Sequence, residues 1–330
     1  SEAPYYYFKK MDEVRNTDTV AIIDIGGGST DYVYFSENTP LSATSVHFGC
    51  DVLWGNGHNE FGNARENGIY NKLIGNVDWG DMDYYRKLES EMMANPKCST
   101  TDIINFWLGN CKYNDVIDRL HNCYLPLFVY HFTAILFHIS HLYKYKGYAA
   151  PRTIVFSGNG SRYIDNFITD DQMVVEEIVT AIFSDVYGSV ERIHVLLPKK
   201  RKESTCYGGL YRSRLLEEII PTHYQGVDKE YENVGEMNSD GTMKVQLLKR
   251  YESMNKLYGR ILDILKRKDA IDNEVNIEQF KSIASKGFEE NFTTHYRSVV
   301  KEKYADSDIF NDSVFFIPVI DKIFELTKII

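Results

Sequence analysis

Two acids bracket a run of small residues near the start of this 330-residue chain: Asp24 and Asp31 stand on either side of Gly26, Gly27, Gly28 and Ser29. That spacing suits phosphate chemistry. Three consecutive glycines strip a bend of every Cβ, so backbone N–H groups can approach an anion closely and take φ values closed to other residues. Asp24, at the end of an apolar run, is placed to hold a hydrated Mg²⁺ or to orient a water, and Asp31 shares that work at one remove. An ordinary glycine hairpin with solvated acids would use the same three glycines, but acids on both sides favour the phosphate grip.

The elements that must position these groups follow from the flanks. Residues 20–23, Val-Ala-Ile-Ile, are β-branched enough for a buried strand, and 32–35 resume the apolar pattern after the turn. Two strands around a glycine turn make a hairpin. A second strand-and-turn lies at 153–162, Thr-Ile-Val-Phe-Ser-Gly-Asn-Gly-Ser-Arg, where a short apolar strand runs into small residues before a helix.

The pattern at 24–31 resembles the second phosphate loop of the superfamily of actin, sugar kinases and heat-shock-chaperone ATPases, whose hairpin holds the β- and γ-phosphates. Companion segments occur in the family's order. The 153–162 segment resembles the adenosine loop, in which Gly158 and Gly160 would lie against ribose and base, with Ser161 beside them. Arg162 matches a position whose guanidinium stacks on adenine. The family more often has Gly-Gly where this chain has Gly158-Asn159. Residues 203–210 resemble the small-residue helix that closes the lobe by a close helix crossing. Residues 47–51, His-Phe-Gly-Cys-Asp, resemble the turn that leads into a helical subdomain. At the start, Glu2-Ala3-Pro4 is similar to the Glu-Pro pair that supplies an acid to the metal, which makes Glu2 a second metal candidate beside Asp24.

The resemblance implies an α/β fold: a ribonuclease-H-like C-terminal lobe of an actin-like ATPase over 1–214, with an inserted helical subdomain at about 47–147 and a mainly helical extension over 215–330. It implies ATP and Mg²⁺ as ligands and phosphoryl transfer to water as the reaction. The superfamily's first phosphate loop, an Asp-x-Gly hairpin, has no counterpart here, either before the 24–31 hairpin or in 215–330, and the first residue is Ser. The expectation is a trimmed chain that lacks an N-terminal lobe, binds ATP·Mg²⁺ weakly and is inactive alone. Two alternatives remain open within the fold. One is a non-catalytic filament or scaffold protein; the other is a small-molecule kinase, whose turnover would rise sharply with one metabolite.

The bulk composition fits a soluble protein of about two domains, with 43% hydrophobic and 25% charged residues. A net charge of −10 disfavours nucleic acid and anionic membranes as partners, because counterion release needs clustered cations. Any phosphate site must be local and built from backbone. Five cysteines, Cys50, Cys98, Cys111, Cys123 and Cys206, without a Cys-x-x-Cys pair, point to free, mostly buried thiols in a reducing, cytoplasmic compartment. The most apolar segment, 125–139, is short for a bilayer and carries His131 and His138, so it reads as a buried helix leading to the strand at Ile154. His131, His138 and His141 find no carboxylate or Cys nearby to complete a metal set, which leaves them as core or interfacial histidines. The basic run 198–202 precedes a helix and reads as a solvated loop rather than an import signal or phosphate patch. Glycosylation triplets stand at Asn159, Asn291 and Asn311, the first inside the nucleoside loop, where a glycan is implausible.

Helical patches at 82–93 and 101–120 belong to the inserted subdomain. Beyond Pro221 a turn-rich stretch at 225–242 precedes helix-period runs at 245–268 and 277–303, with Leu247, Leu248, Tyr251, Leu257, Ile261, Leu262 and Leu265 on one apolar face. A last apolar segment spans 314–330. These helices are a candidate surface for a protein partner.

Overall fold

A computed structural model describes residues 2–15, 18–55, 68–70, 72, 82–95, 98–110, 123–167, 172–199, 201–213, 245–290 and 315–330. It is a mixed α/β fold built on a five-stranded sheet of order β3-β2-β1-β4-β5. The strands are β1 (Thr19–Ile25), β2 (Thr30–Ser36), β3 (Thr39–Val46), β4 (Thr153–Ser157) and β5 (His194–Leu196). β1, β2 and β3 form an antiparallel meander, whereas β4 runs parallel to β1 and β5 parallel to β4. The described helices are α1 (Ala3–Lys10), α2 (Asp51–Trp54), α3 (Met82–Ala94), α4 (Thr100–Asn110), α5 (Leu125–Tyr145), α6 (Met173–Tyr187), α7 (Arg201–Ser213), α8 (Val245–Arg267), α9 (Ile277–Ala284) and α10 (Phe316–Thr327).

Local chemistry accounts for the meander. Glu37 and Asn38 take positive φ values of 47° and 69° between β2 and β3, the backbone of a two-residue hairpin whose twist matches the strands it joins. Asn38 is also held by the Tyr5 hydroxyl and the Lys9 ammonium, which tie the turn to α1. Pro40 sits in β3, the edge strand, beside a register shift opposite Phe35, where a missing N–H disturbs the ladder least.

Alternation along β1 splits its side chains between two cores. Val20 and Ile22, with Val33, Phe35 and Val155, pack against Tyr5 and Phe8 of α1. Ala21, Ile23 and Ile25, with Tyr32, Tyr34, Ile154 and Phe156, face the larger core, which holds α5 and α6. α5 is buried along almost its whole length because a helix apolar all round needs cover all round. By length and composition it could cross a membrane, and 94% of its most apolar window lies inside the fold. The helices after residue 245 join this same core through Leu257, Ile261, Val319 and Ile323, and the Tyr258 hydroxyl donates to the Pro126 carbonyl at 3.0 Å.

On the other face α1 and α7 cross closely. A Cβ on Gly208 would fall well inside contact distance of the Ala3 carbonyl oxygen, so the small residue expected in this helix is required by the crossing.

Four expectations change. Of the described cysteines, expected to be mostly buried, Cys50 is buried, Cys98 is half-buried, and Cys123 and Cys206 are exposed. The basic run 198–202 is not all solvated loop: Arg201 opens α7, is buried, and grips the Asp165 carboxylate with both terminal nitrogens, at 3.0 and 2.6 Å. The helix begun at 277 stops at Ala284, with Ser285 as its cap, and residues 291–303 lie outside the described residues. The 101–120 patch gives a helix over Thr100–Asn110, while 111–120 and the turn-rich 225–242 lie outside them as well.

Candidate functional site

Strand register assembles the acids. Asp24 pairs with Asp31 across β1 and β2, Asp31 with Ser45 across β2 and β3, and Asp24 with Ser157 across β1 and β4. Paired residues share a face, so Ser45, Asp31, Asp24 and Ser157 form one polar row on the α1 side of the sheet, continuing the line of Val20 and Ile22. The Ser45 hydroxyl donates to Asp31 Oδ1 at 2.6 Å, and Ser157 Oγ lies 3.3 Å from Thr205 Oγ1 of α7. Burial lifts the Asp24 pKa above the ordinary carboxylate value, the Asp31 charge across the ladder adds to the lift, and a hydrogen bond from Ser157 opposes it.

Glu2 is buried just ahead of α1, the helix that meets α7, β1 and β4. Its neighbour Ala3 abuts Gly208, one helical turn from Thr205, the residue that meets Ser157. Among the described residues no three His, Cys, Asp or Glu side chains converge closely enough to hold a metal by themselves. A cation at Asp24 would need ligand oxygens and water to complete its shell.

The hairpin closes through Gly26 N–H donating to Ser29 O at 2.8 Å. None of the three glycines takes a left-handed φ, which corrects the expectation that they serve the turn through unusual dihedrals. Their reasons differ. A Cβ on Gly27 would fall 2.8 Å from Ser99 Cβ and 2.9 Å from Asp51 Oδ2, so packing requires the glycine there. Gly28 is exposed, and a Cβ on it would meet nothing within 4 Å among the described residues.

Three segments support the hairpin from behind. The turn at 48–51 donates Cys50 N–H to Gly26 O at 2.9 Å and Asp51 N–H to Gly27 O at 2.8 Å. In a planar trans peptide the carbonyl and the following N–H point opposite ways, so the Gly27 and Gly28 amides are aimed away from this turn. Gly49 lies so close that a Cβ on it would sit 2.6 Å from Ser29 N and nearer still to Gly27 O. Thr30 Oγ1 fastens the base of the hairpin to Phe48 O at 2.6 Å.

The second support is the N-terminus of α4. Ser99 and Asp102 form a reciprocal cap: Asp102 N–H donates to Ser99 Oγ at 3.1 Å, and Ser99 N–H and Oγ–H donate to Asp102 Oδ2 at 3.3 and 3.0 Å. Asp51 Oδ1 accepts from Thr101 N and Oγ1 at 2.8 and 2.5 Å. Burial raises the Asp51 pKa, the Thr101 bonds oppose the rise, and the Asp102 charge adds to it.

The third support is the loop after β4. Gly158, at φ +79°, packs on the Asp24 carboxylate and the Ile25 carbonyl, and Gly160 packs on the carbonyls of Ile25 and Gly26. The space left by both missing Cβ atoms is therefore filled from within the chain. Ser161 is buried and donates to Gly158 O at 2.8 Å, while Arg162 is half-buried on the 3₁₀ segment Asn159–Phe167. Asn159 links this loop to α4, donating to Asp102 Oδ1 at 3.3 Å and accepting from Asn105 Nδ2 at 3.0 Å.

Sequence reasoning missed Ser99, Thr101, Asp102, His131 and Tyr163 as parts of this assembly. The Ser-x-x-Asp spacing at 99–102 is a legible helix-start signal. His131 had none, because its partners Gly49 and Tyr163 are 82 and 32 residues distant. A groove of about 1230 Å³ lies elsewhere, between α8, α9 and residues 287–290.

No family model matches this chain, and no curated protein matches it. Among solved structures, one described as the Alp12 filament aligns with 65% of this chain and 51% of its own at 15% identity, with a TM-score of 0.24. The chain thus spans about half the length of that structure, and a likeness so distant carries no argument.

Proposed function

We propose that the chain is the nucleotide-binding lobe of an actin-like, chaperone-like ATPase, gripping phosphate on the 26–29 hairpin. The observation that carries this is the direction of the Gly27 and Gly28 amides. Both point away from a turn that pins the preceding carbonyls, and they do so beside Gly28, whose Cβ would meet nothing among the described residues. The strand order, with β2 reversed between β3 and β1 and parallel strands beyond, supports a ribonuclease-H-like lobe.

ATP with Mg²⁺ would supply the activated phosphoryl group for transfer to water. The residues in place suit that ligand. The Gly27 and Gly28 N–H groups would donate to phosphate oxygens, with Gly26 and Ser29 closing the loop. Asp24 sits where burial and the facing Asp31 penalise its charge, a penalty that a divalent cation relieves. Asp24 would hold the metal or orient a water, with Asp31 held in place by Ser45 and Glu2 a second acid for the metal from the start of α1. Gly158, Gly160 and Ser161 would shape the nucleoside loop, and Arg162 would lie over the base. Turnover would need a second phosphate grip from an N-terminal lobe.

One observation favours a second reading, a non-catalytic filament or scaffold protein. Gly27, Gly49, Gly158 and Gly160 are all demanded by packing within the chain, so most of the glycine pattern would persist without a ligand. Titrating ATP with and without Mg²⁺ into the wild-type chain and into Asp24→Ala, with phosphate release followed alongside, separates the two. Magnesium-dependent binding weakened by Asp24→Ala supports the nucleotide lobe. Equal, magnesium-independent behaviour of both proteins removes Asp24 from the site.

A further inference from the structure

We infer that His131 is a positioning residue for the phosphate hairpin, acting through the 48–51 turn; this rests on the nucleotide reading above. The imidazole is fully buried in α5 and stacks on Phe48 with centroids 4.6 Å apart and planes 22° from parallel. Both ring nitrogens are engaged, Nε2 with Gly49 O at 3.1 Å and Nδ1 with Tyr163 Oη at 2.9 Å. A carbonyl can only accept, so Nε2 carries the proton, and Nδ1 must then accept from the tyrosine. Burial keeps the ring neutral, with its pKa pushed down to about 3 although the Gly49 bond opposes the fall, so this arrangement holds at neutral pH.

The consequence lies one residue beyond Gly49. Cys50 and Asp51 donate to the two hairpin carbonyls whose direction sets that of the Gly27 and Gly28 amides. Gly49 itself is pressed against Gly27 with no room for a side chain. Tyr163 belongs to the segment that follows Gly160, which packs on the hairpin from another side. One neutral imidazole therefore fastens α5, the 48–51 turn and the 159–167 segment at the back of the phosphate grip. Histidine suits the place because it donates on one edge and accepts on the other within a flat, stackable ring.

Three variants of the full chain test this. His131→Gln keeps a donor able to reach Gly49 O, His131→Met keeps volume without a donor, and Tyr163→Phe keeps the ring but removes the tautomer lock. Two quantities are read: hydrogen exchange at the Cys50 and Asp51 amides relative to the β1 and β4 ladder, and the affinities for ATP and adenosine in Mg²⁺. His131→Met is expected to speed exchange at Cys50 and Asp51 about tenfold relative to the ladder, and to weaken ATP about fivefold with adenosine unchanged, the size of one lost hydrogen bond. His131→Gln should recover most of both effects, and Tyr163→Phe should show part of them. Exchange at Cys50 and Asp51 that merely follows the ladder, or ATP and adenosine weakening together, would overturn the positioning role. If His131→Met does not fold, Tyr163→Phe decides the matter by the same two readouts. If the wild-type chain binds neither ligand the nucleotide reading fails, and the exchange measurement still decides whether His131 holds the turn.

Discussion

Gly28→Ala separates a glycine kept for a ligand from one kept for the fold. A methyl at this position meets no atom of the described residues within 4 Å, and the backbone there is not left-handed. The folded state therefore loses nothing, while the unfolded chain loses freedom, so stability should hold or rise by about 0.4–1 kcal/mol. Gly27→Ala is the contrast. Its Cβ would press on Ser99 Cβ at 2.8 Å and Asp51 Oδ2 at 2.9 Å, an overpacking that costs about 1–3 kcal/mol. The ligand should reverse the order of surprise: a methyl beside the Gly28 amide blocks the approach of a phosphate oxygen, and loss of one charge-assisted hydrogen bond weakens ATP·Mg²⁺ about tenfold or more. Urea melts give the first quantity and calorimetric titration the second. A Gly28→Ala protein that binds ATP within twofold of wild type would refute the claim that this glycine is held open for phosphate. One destabilised by more than about 1 kcal/mol would show an intramolecular role that the geometry does not contain.

Other consequences are within reach of the same assays. Gly208→Ala should wedge α1 from α7 at the Ala3 carbonyl and cost about 1–3 kcal/mol, whereas Gly209→Ala, whose Cβ would meet no atom of the described residues within 4 Å, should stabilise the helix by about 0.5–1 kcal/mol; equal melting points would contradict the tight crossing. His131 and His141, each pushed down to about 3 by burial, bind protons in the unfolded chain first, so stability should be full above pH 6.5 and fall as pH drops toward 3. For His131 alone the loss at full protonation is about 4–5 kcal/mol, and a flat stability profile between pH 6.5 and 4 would refute its burial as a neutral ring. Asp24 has the opposite sign: its folded pKa is raised, chiefly by burial, so its charge costs stability at neutral pH, and the cost fades as pH falls through that raised value. Asp24→Asn should thus be more stable than wild type at pH 7 in the absence of ligand, with the gap closing in acid; a gap that widens in acid would reverse the assignment.

What the sequence made legible was local. Val20 to Ile23 and Tyr32 to Phe35 announced β1 and β2 because their β-branched and aromatic residues are buried on both faces of the sheet. The 125–139 helix was legible for the same reason and runs on to Tyr145. β3 carried no such signal: Thr39, Ser42, Thr44 and Ser45 are polar, Pro40 interrupts the run as an edge strand tolerates, and Ser45 serves Asp31 rather than a core. β5 is three residues long, too short for any periodicity. α6 carries its own helical period in Val175, Ile178, Val179, Ile182, Phe183 and Val186, all buried. At the site, the glycines and acids were visible, but the reason for each glycine was not. Gly158 and Gly160 were read as faces for a nucleoside, and their bare Cα atoms turn out to face Asp24, Ile25 and Gly26. Contacts between segments over a hundred residues apart in the chain decide that, and no local pattern encodes them.

The Gly27 and Gly28 amides are proposed as a phosphate grip beside Asp24. Amide chemical shifts recorded while ATP is added with Mg²⁺, then after Mg²⁺ is chelated, test it most directly. Saturable shifts are expected at Gly27, Gly28 and Ser29, with an affinity of about millimolar for a partly exposed site, and these shifts should shrink when the metal is removed or Asp24 becomes Ala. Saturable shifts elsewhere in the molecule with residues 26–29 unmoved, or none up to the solubility limit of ATP, would contradict it.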